Sequence, residues 1–282
     1  MKKFTLGSML ALALATLSAC APANQNSSSA NDSADNIVRG HVVSSSEAVA
    51  KQLVMLYGLT NEGGQQSAFI CTATLISPTV LMTAAHCADG ALKIYAVFAT
   101  DGIAALKQAN PASNPNIVRV AASRIYPTWV GTKNGEIKGK QLDAGDIALL
   151  KLAAPAPATA KITRLYNGSL QQGETLLAAG YGIDSVGQTN NDSSGLLREA
   201  NVLVAKPLVG KSEFFVDQRG SNPGPCSGDS GGPTFVQSAT GDLQQVGIVS
   251  RGDENCAIGG IYTLVPAYTS WISNSITAFA SM

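Results

Sequence analysis

Short runs of apolar and β-branched residues recur from Ile37 onward, separated by Gly, Pro, Asn and Asp. Nine stand out: Gln52–Leu59, Phe69–Ile76, Leu92–Ala99, Ile117–Ile125, Ile147–Leu152, Thr175–Ala179, Asn201–Ala205, Gln245–Ser250 and Gly260–Val265. Runs of this length, bounded by turn residues, predict an all-β sandwich or barrels rather than βαβ units. Ala153-Ala154-Pro155-Ala156-Pro157-Ala158 interrupts them as an extended connector and predicts a boundary between two halves. The tail has a different period. Tyr268, Trp271, Ile272, Ile276 and Phe279 recur at three- and four-residue steps, so an amphipathic helix is expected over about 267–280.

The start of the chain carries an export pattern. Met1-Lys2-Lys3 is followed by the uncharged stretch Phe4 to Ala19, whose 16 residues fall short of the ~20 needed to span a bilayer as a helix. Residues 1–19 therefore read as a signal peptide. Leu17-Ser18-Ala19-Cys20 looks like a bacterial lipobox, which predicts cleavage before Cys20 and a lipid on that residue. No Asp follows Cys20, which by analogy with Gram-negative lipoproteins favours the outer membrane. Residues 21–36, rich in Ser, Asn, Ala and Asp, read as a flexible tether or propeptide.

Composition narrows the function. Charged residues are 13%, hydrophobic residues 45%, and 19 Lys+Arg balance 19 Asp+Glu. A disordered chain needs the opposite balance, and a zero net charge gives no basic field for nucleic acid. There are five Cys, at 20, 71, 87, 226 and 256. An odd number in an exported protein needs an explanation, and lipidation of Cys20 leaves an even four. Three pairings are open to these four, of which the local one, 71 with 87 and 226 with 256, is preferred.

Three segments carry candidate chemistry. Thr83-Ala84-Ala85-His86-Cys87 holds one of only two His, the other being His41; the count nearly excludes a His₂ or His₃ metal site, no C-x-x-C pair replaces it, and a working His86 would act as a base. Cys226-Ser227-Gly228-Asp229-Ser230-Gly231-Gly232-Pro233 surrounds one Ser with small residues that let backbone N–H groups approach a reacting carbonyl. Gly228 to Gly232 also fits the G-x-S-x-G elbow of α/β-hydrolases, but that enzyme class has its His after the Ser, and none follows Ser230. Asp146-Ile147-Ala148-Leu149-Leu150 places an acid at the mouth of an apolar strand. The order His86, Asp146, Ser230 is that of chymotrypsin.

With these three signatures the sequence resembles the trypsin/chymotrypsin-like serine endopeptidases. The likeness runs from Ile37 to the C-terminus and includes Gly180-Tyr181-Gly182, Gly247-Ile248-Val249-Ser250 and Tyr262-Thr263. It implies two antiparallel six-stranded β-barrels, about 37–153 and 160–266, with His86 and Asp146 from the first and Ser230 from the second. It implies a catalytic triad of those residues, disulfides Cys71–Cys87 and Cys226–Cys256, and a hydrogen bond from Ser250 to the Asp146 carboxylate. Backbone N–H groups of Gly228 and Ser230 would form the oxyanion hole. Cleavage after Asn36 would free the Ile37 amine to pair with Asp229, as in a zymogen. Asn36 and Arg39 depart from the family's usual basic residue and Gly at those places, leaving the activating protease unidentified. The specificity pocket is expected at Gly224, Pro225, Gly252 and Gly260, with Gly224 at its base, an open slot for aromatic or large apolar side chains. Asp253 and Glu254 stand near its rim, and Arg251 stands where the family usually has Trp.

The expected protein is thus a secreted or surface-anchored monomeric serine endopeptidase acting on proteins or peptides. No cofactor, metal or nucleic acid is expected, and membrane contact only through Cys20. Because no Cys lies between 21 and 70, activation after residue 36 would also release the enzyme from its lipid. Asp184–Asp192 is expected to be a surface loop. The competing reading is a catalytically idle binding lipoprotein on the same fold.

Overall fold

The structure, a computed structural model, describes residues 37–108, 113–133, 136–137, 142–185 and 193–282. The signal peptide, Cys20, the tether and residues 186–192 of the expected surface loop lie outside the described residues. Strand β1 (His41–Val42) is followed by β2 (Leu53–Glu62), β3 (Gln65–Ser77), β4 (Val80–Thr83), β5 (Lys93–Val97) and β6 (Ile117–Ile125). A small hairpin of β7 (Thr132–Lys133) and β8 (Glu136–Ile137) precedes β9 (Ala148–Leu152). The second half holds β10 (Arg164–Leu165), β11 (Thr175–Gly180), β12 (Arg198–Val209), β13 (Glu213–Asp217), β14 (Pro233–Gln237), β15 (Leu243–Gly252) and β16 (Gly259–Leu264).

Two barrels result. The first closes in the order β2-β3-β4-β9-β6-β5, because β2 pairs with both β3 and β5. The second runs β12-β11-β14-β15-β16-β13 and closes through the β12–β13 pairing. All of these pairings are antiparallel, while β1 and β10 attach at the outside, β10 in parallel with β15. Closure satisfies every strand edge, so neither barrel leaves a ladder open to a foreign strand. Along β12 the buried residues alternate, Arg198, Ala200, Val202 and Val204 facing in, as the pleat requires. By contrast β4 is buried at every position, Val80 to Thr83, consistent with a short strand covered on both faces.

The C-terminal helix, α2 (Thr269–Ala280), follows a 3₁₀ turn (Val265–Tyr268) that carries Pro266 in its first turn. Tyr268, Ile272 and Phe279 are buried in the core of the first barrel, although the helix ends the second half of the chain. Tyr126 meets the rings of Tyr268 and Trp271 edge-on at 4.8 and 5.4 Å. Each fully buried side chain of this kind stabilises by about 1.5–3 kcal/mol. Helix α1 (Gly102–Lys107) has no counterpart in the sequence pattern; it is capped by Asp101 Oδ1, which accepts the Ala104 N–H at 2.8 Å.

Candidate active site

The site is assembled from loops at the barrel junction. His86 sits on a single 3₁₀ turn (Ala85–Cys87) directly after β4, and Cys87 is tied back to Cys71 of β3 by a disulfide. Asp146 immediately precedes Ile147 and β9, the antiparallel neighbour of β4, so register alone brings the two side chains together. Asp146 is fully buried. Its Oδ1 accepts the His86 backbone N–H at 3.0 Å, and its Oδ2 accepts from His86 Nδ1 at 2.9 Å and from Ser250 Oγ at 2.7 Å. Since a carboxylate offers only acceptors, Nδ1 carries the proton and the Nε2 lone pair remains available.

Electrostatics follow from that arrangement. Burial works against the imidazolium of His86, but the charge of Asp146 and its hydrogen bond outweigh it and hold the His86 pKa above its ordinary value. Burial likewise works against the Asp146 carboxylate. The His86 charge and the hydrogen bonds from His86 and Ser250 prevail, keeping its pKa below the usual carboxylate range.

Ser230 comes from the turn between β13 and β14. Its carbonyl accepts the Thr72 N–H of β3 at 2.8 Å, and Thr72 Oγ1 donates to the Gly228 carbonyl at 3.1 Å. The turn is thus stitched to the first barrel, bringing Ser230 into one cleft with His86, a space of about 980 Å³. Gly231 makes this approach possible. It adopts φ +80°, and a Cβ there would run into Thr83 Oγ1 and the Thr72 carbonyl. Among the described residues, the N–H groups of Gly228 and Ser230 donate to no acceptor.

Behind Ser230, Asp229 is fully buried, with Oδ1 accepting from Gly182 N at 2.7 Å and Oδ2 from Cys226 N at 2.9 Å. Burial pushes its pKa up to about 6, against the pull of those two N–H groups and of Arg198. Gly180 and Gly182 are required here, since a Cβ on either would strike the carboxyl. Ile37 is also fully buried, and Val38 bridges to Gly224. No hydrogen bond joins Ile37 to Asp229 within the described residues. Arg39 stands at φ +68°, a left-handed position that explains why a Gly is usual there, and its Nη1 donates to the Asn222 carbonyl.

Both expected disulfides are present, Cys71–Cys87 and Cys226–Cys256. Of the expected pocket residues, Pro225, Gly252 and Gly260 line the cleft. Gly224 does not. It is engaged with Val38, and the Gln218 side chain fills the space its own side chain would take. Asp253 is spent on its own loop, accepting the N–H groups of Ala257 and Ile258 at 2.9 and 2.7 Å.

Besides Thr263, already noted in the sequence beside Tyr262, three contributing residues lie outside the motifs: Thr72, Glu213 and Gln218. Thr72 joins the barrels, and Thr263 Oγ1 donates to the Asp146 carbonyl at 2.9 Å. Glu213 receives the Arg251 guanidinium at 2.8 Å on both oxygens, while Arg251 Nη1 also reaches Ser250 Oγ at 3.3 Å. Gln218 covers the end of the cleft. Only Arg251, by standing in place of an aromatic, signalled such a partner in the sequence. His41, the second imidazole, is exposed and pairs with Glu199 at 3.2 Å.

Two barrels meeting at a cleft with these groups define the class: the chain belongs to the trypsin family, whose profile, described as Trypsin, matches residues 42–272. It is 31% identical over 224 residues to a trypsin-like protease of Streptomyces glaucescens, covering 74% of this chain and 75% of that one. It is 28% identical over 218 residues to kallikrein 1-related peptidase b24 of Mus musculus, covering 74% and 81%. With a chymotrypsin of Phaedon cochleariae it shares 25% identity over 246 residues, covering 82% and 80%.

Proposed function

We propose that this protein is an exported serine endopeptidase that cleaves peptide bonds through an acyl-enzyme. The observation that carries the reading is the chain of contacts from Ser250 to Asp146 to His86, opening on a cleft that also holds Ser230. A Ser hydroxyl is a weak nucleophile, and His86 takes its proton as Oγ attacks the carbonyl. Asp146 orients the ring and stabilises the imidazolium without taking the proton. The uncommitted N–H groups of Gly228 and Ser230 receive the developing oxyanion, each such donor being worth about 3 kcal/mol. His86 then returns the proton to the leaving amine, and water repeats the sequence on the ester.

The precursor is read as a lipoprotein inactive until cut after Asn36. The new Ile37 ammonium then pairs with the Asp229 carboxylate, whose hydrogen bonds among the described residues come from two backbone N–H groups. That same cut frees the enzyme from the lipid on Cys20. Two disulfides and the relatives' character as proteases support export. Ser230→Ala is the test: labelling by a fluorophosphonate and hydrolysis of casein should both vanish, with the circular dichroism spectrum unchanged. Absence of labelling in the processed parent protein would instead mark an idle binding protein.

A further inference from the structure

The end of the cleft is floored by a residue that no motif places there. Gln218 follows β13, is only 3% exposed, and lines the cleft. A Cβ on Gly224 would collide with its amide, so that glycine is what lets Gln218 lie across the base. Gln218 Nε2 donates to the Pro225 carbonyl at 3.0 Å. A carbonyl only accepts, so this bond fixes the amide: nitrogen toward Pro225, Oε1 turned away. Among the described residues Oε1 accepts nothing, and it lies 3.7 Å from the place of a Cβ on Gly260, one wall of the slot. Tyr262 of β16 lines the same cleft. It is 1% exposed, and its hydroxyl is buried without a hydrogen-bond partner.

An acceptor and an enclosed hydroxyl therefore belong to the lining of a slot whose sides, Gly252 and Gly260, carry no side chains. Burying such groups against a purely apolar ligand is unfavourable. Among the described residues no carboxylate is free at the base to meet a cationic side chain, the remaining acid of the lining, Glu254, standing exposed. Asp217 is paired with Arg219 at 2.7 Å, Asp253 is held by its own loop, and Asp229 is enclosed by Gly182 and Cys226. A phenol satisfies every requirement: a flat ring between glycine walls, an O–H that donates to Gln218 Oε1, and an oxygen that accepts from Tyr262.

Resting on the protease reading above, we propose that the pocket selects tyrosine, in preference to phenylalanine, at the residue whose carbonyl is attacked. A site built to hydrogen-bond a hydroxyl discriminates against the analogue lacking it, because its own polar groups are left unpaired. The test uses the protein expressed from its full-length sequence and isolated in processed form. Peptide aryl phosphonates that differ only in a tyrosine or phenylalanine side chain are compared by their rates of inactivation. The expected ratio favours tyrosine by at least about tenfold. Gln218→Met should bring that ratio to within about threefold of unity, and Tyr262→Phe should lower it independently, so either variant suffices if the other misfolds. Equal rates in the parent, faster reaction with phenylalanine, a ratio unmoved in both variants, or fastest reaction with a lysine probe would each overturn the proposal. An unselective fluorophosphonate run alongside keeps the two readings apart: failure to label defeats the protease itself, whereas labelling without tyrosine preference defeats only the pocket assignment.

Discussion

Glu213→Ala should lower the unfolding free energy by about 3 kcal/mol, although Glu213 belongs to none of the catalytic signatures. Glu213 is 1% exposed and meets the Arg251 guanidinium through two parallel hydrogen bonds of 2.8 Å. Taking away one member of a buried pair deprives the other charge of its bidentate partner, at a cost of about 3–5 kcal/mol. The Arg251 side chain keeps 17% of its surface in water, which sets the expected loss at the lower end. The Ala144 N–H would also lose the acceptor that anchors the approach to Asp146. Replacing both residues with Met removes the two charges together and leaves only the Ala144 N–H unmet, so that variant should lie within about 2 kcal/mol of the parent and above the single variant. Urea unfolding of the disulfide-intact chain measures this, in a Ser230→Ala background that prevents self-digestion, with slopes compared across variants. If Glu213→Ala unfolds within 1 kcal/mol of the parent, or if the double variant is as weak as the single, the ion pair does not hold this wall.

Further outcomes are open to measurement. Because His86 works as a base only when neutral and its pKa is raised, hydrolysis should fall on the acid side with a midpoint above about 6.5. A rate constant independent of pH down to 5 contradicts that. Asp229 has a folded pKa of about 6, above its unfolded value, so its burial lowers stability by about 3 kcal/mol once pH rises beyond 6, and favours folding relatively more in acid. Cleavage after Asn36 should recover much of that loss through the new ammonium, raising the thermal midpoint more at pH 8 than at pH 5. Gly231→Ala should destabilise by about 1–3 kcal/mol and abolish labelling of Ser230, since its φ and its contacts with Thr83 and Thr72 admit no Cβ. Arg39→Gly should be neutral or stabilising by up to about 1 kcal/mol in thermal melts, relieving a left-handed backbone.

Much of this was legible in the chain because local signals and tertiary demands agree. The nine apolar runs correspond to nine of the twelve barrel strands. Those overlooked have a physical reason. In β4, Val80 to Thr83 merges with the His86 segment and shows no alternation because both faces are covered. The acids at either end of β13, Glu213 and Asp217, read as turn residues until their partners Arg251 and Arg219 are known. Pro233 opens β14 straight after a glycine-rich turn, disguising the strand. His86, Asp146, Ser230 and Ser250 were visible since each sits in a short motif, and the structure brings the first two and Ser250 into hydrogen-bond contact. Gln218 was not visible. Its role arises from a missing side chain at Gly224, six positions further on, a relation that exists only after folding.

The last helix imposes an order of events on biosynthesis. Ile272 and Phe279 join the core of the half that is made first, so that half keeps an open apolar seam until α2 has emerged. A chain lacking α2 would have both barrels' strands and still lose the cover that Trp271 gives Tyr126. Such a product should be sticky and quickly degraded, which makes α2 a checkpoint on folding.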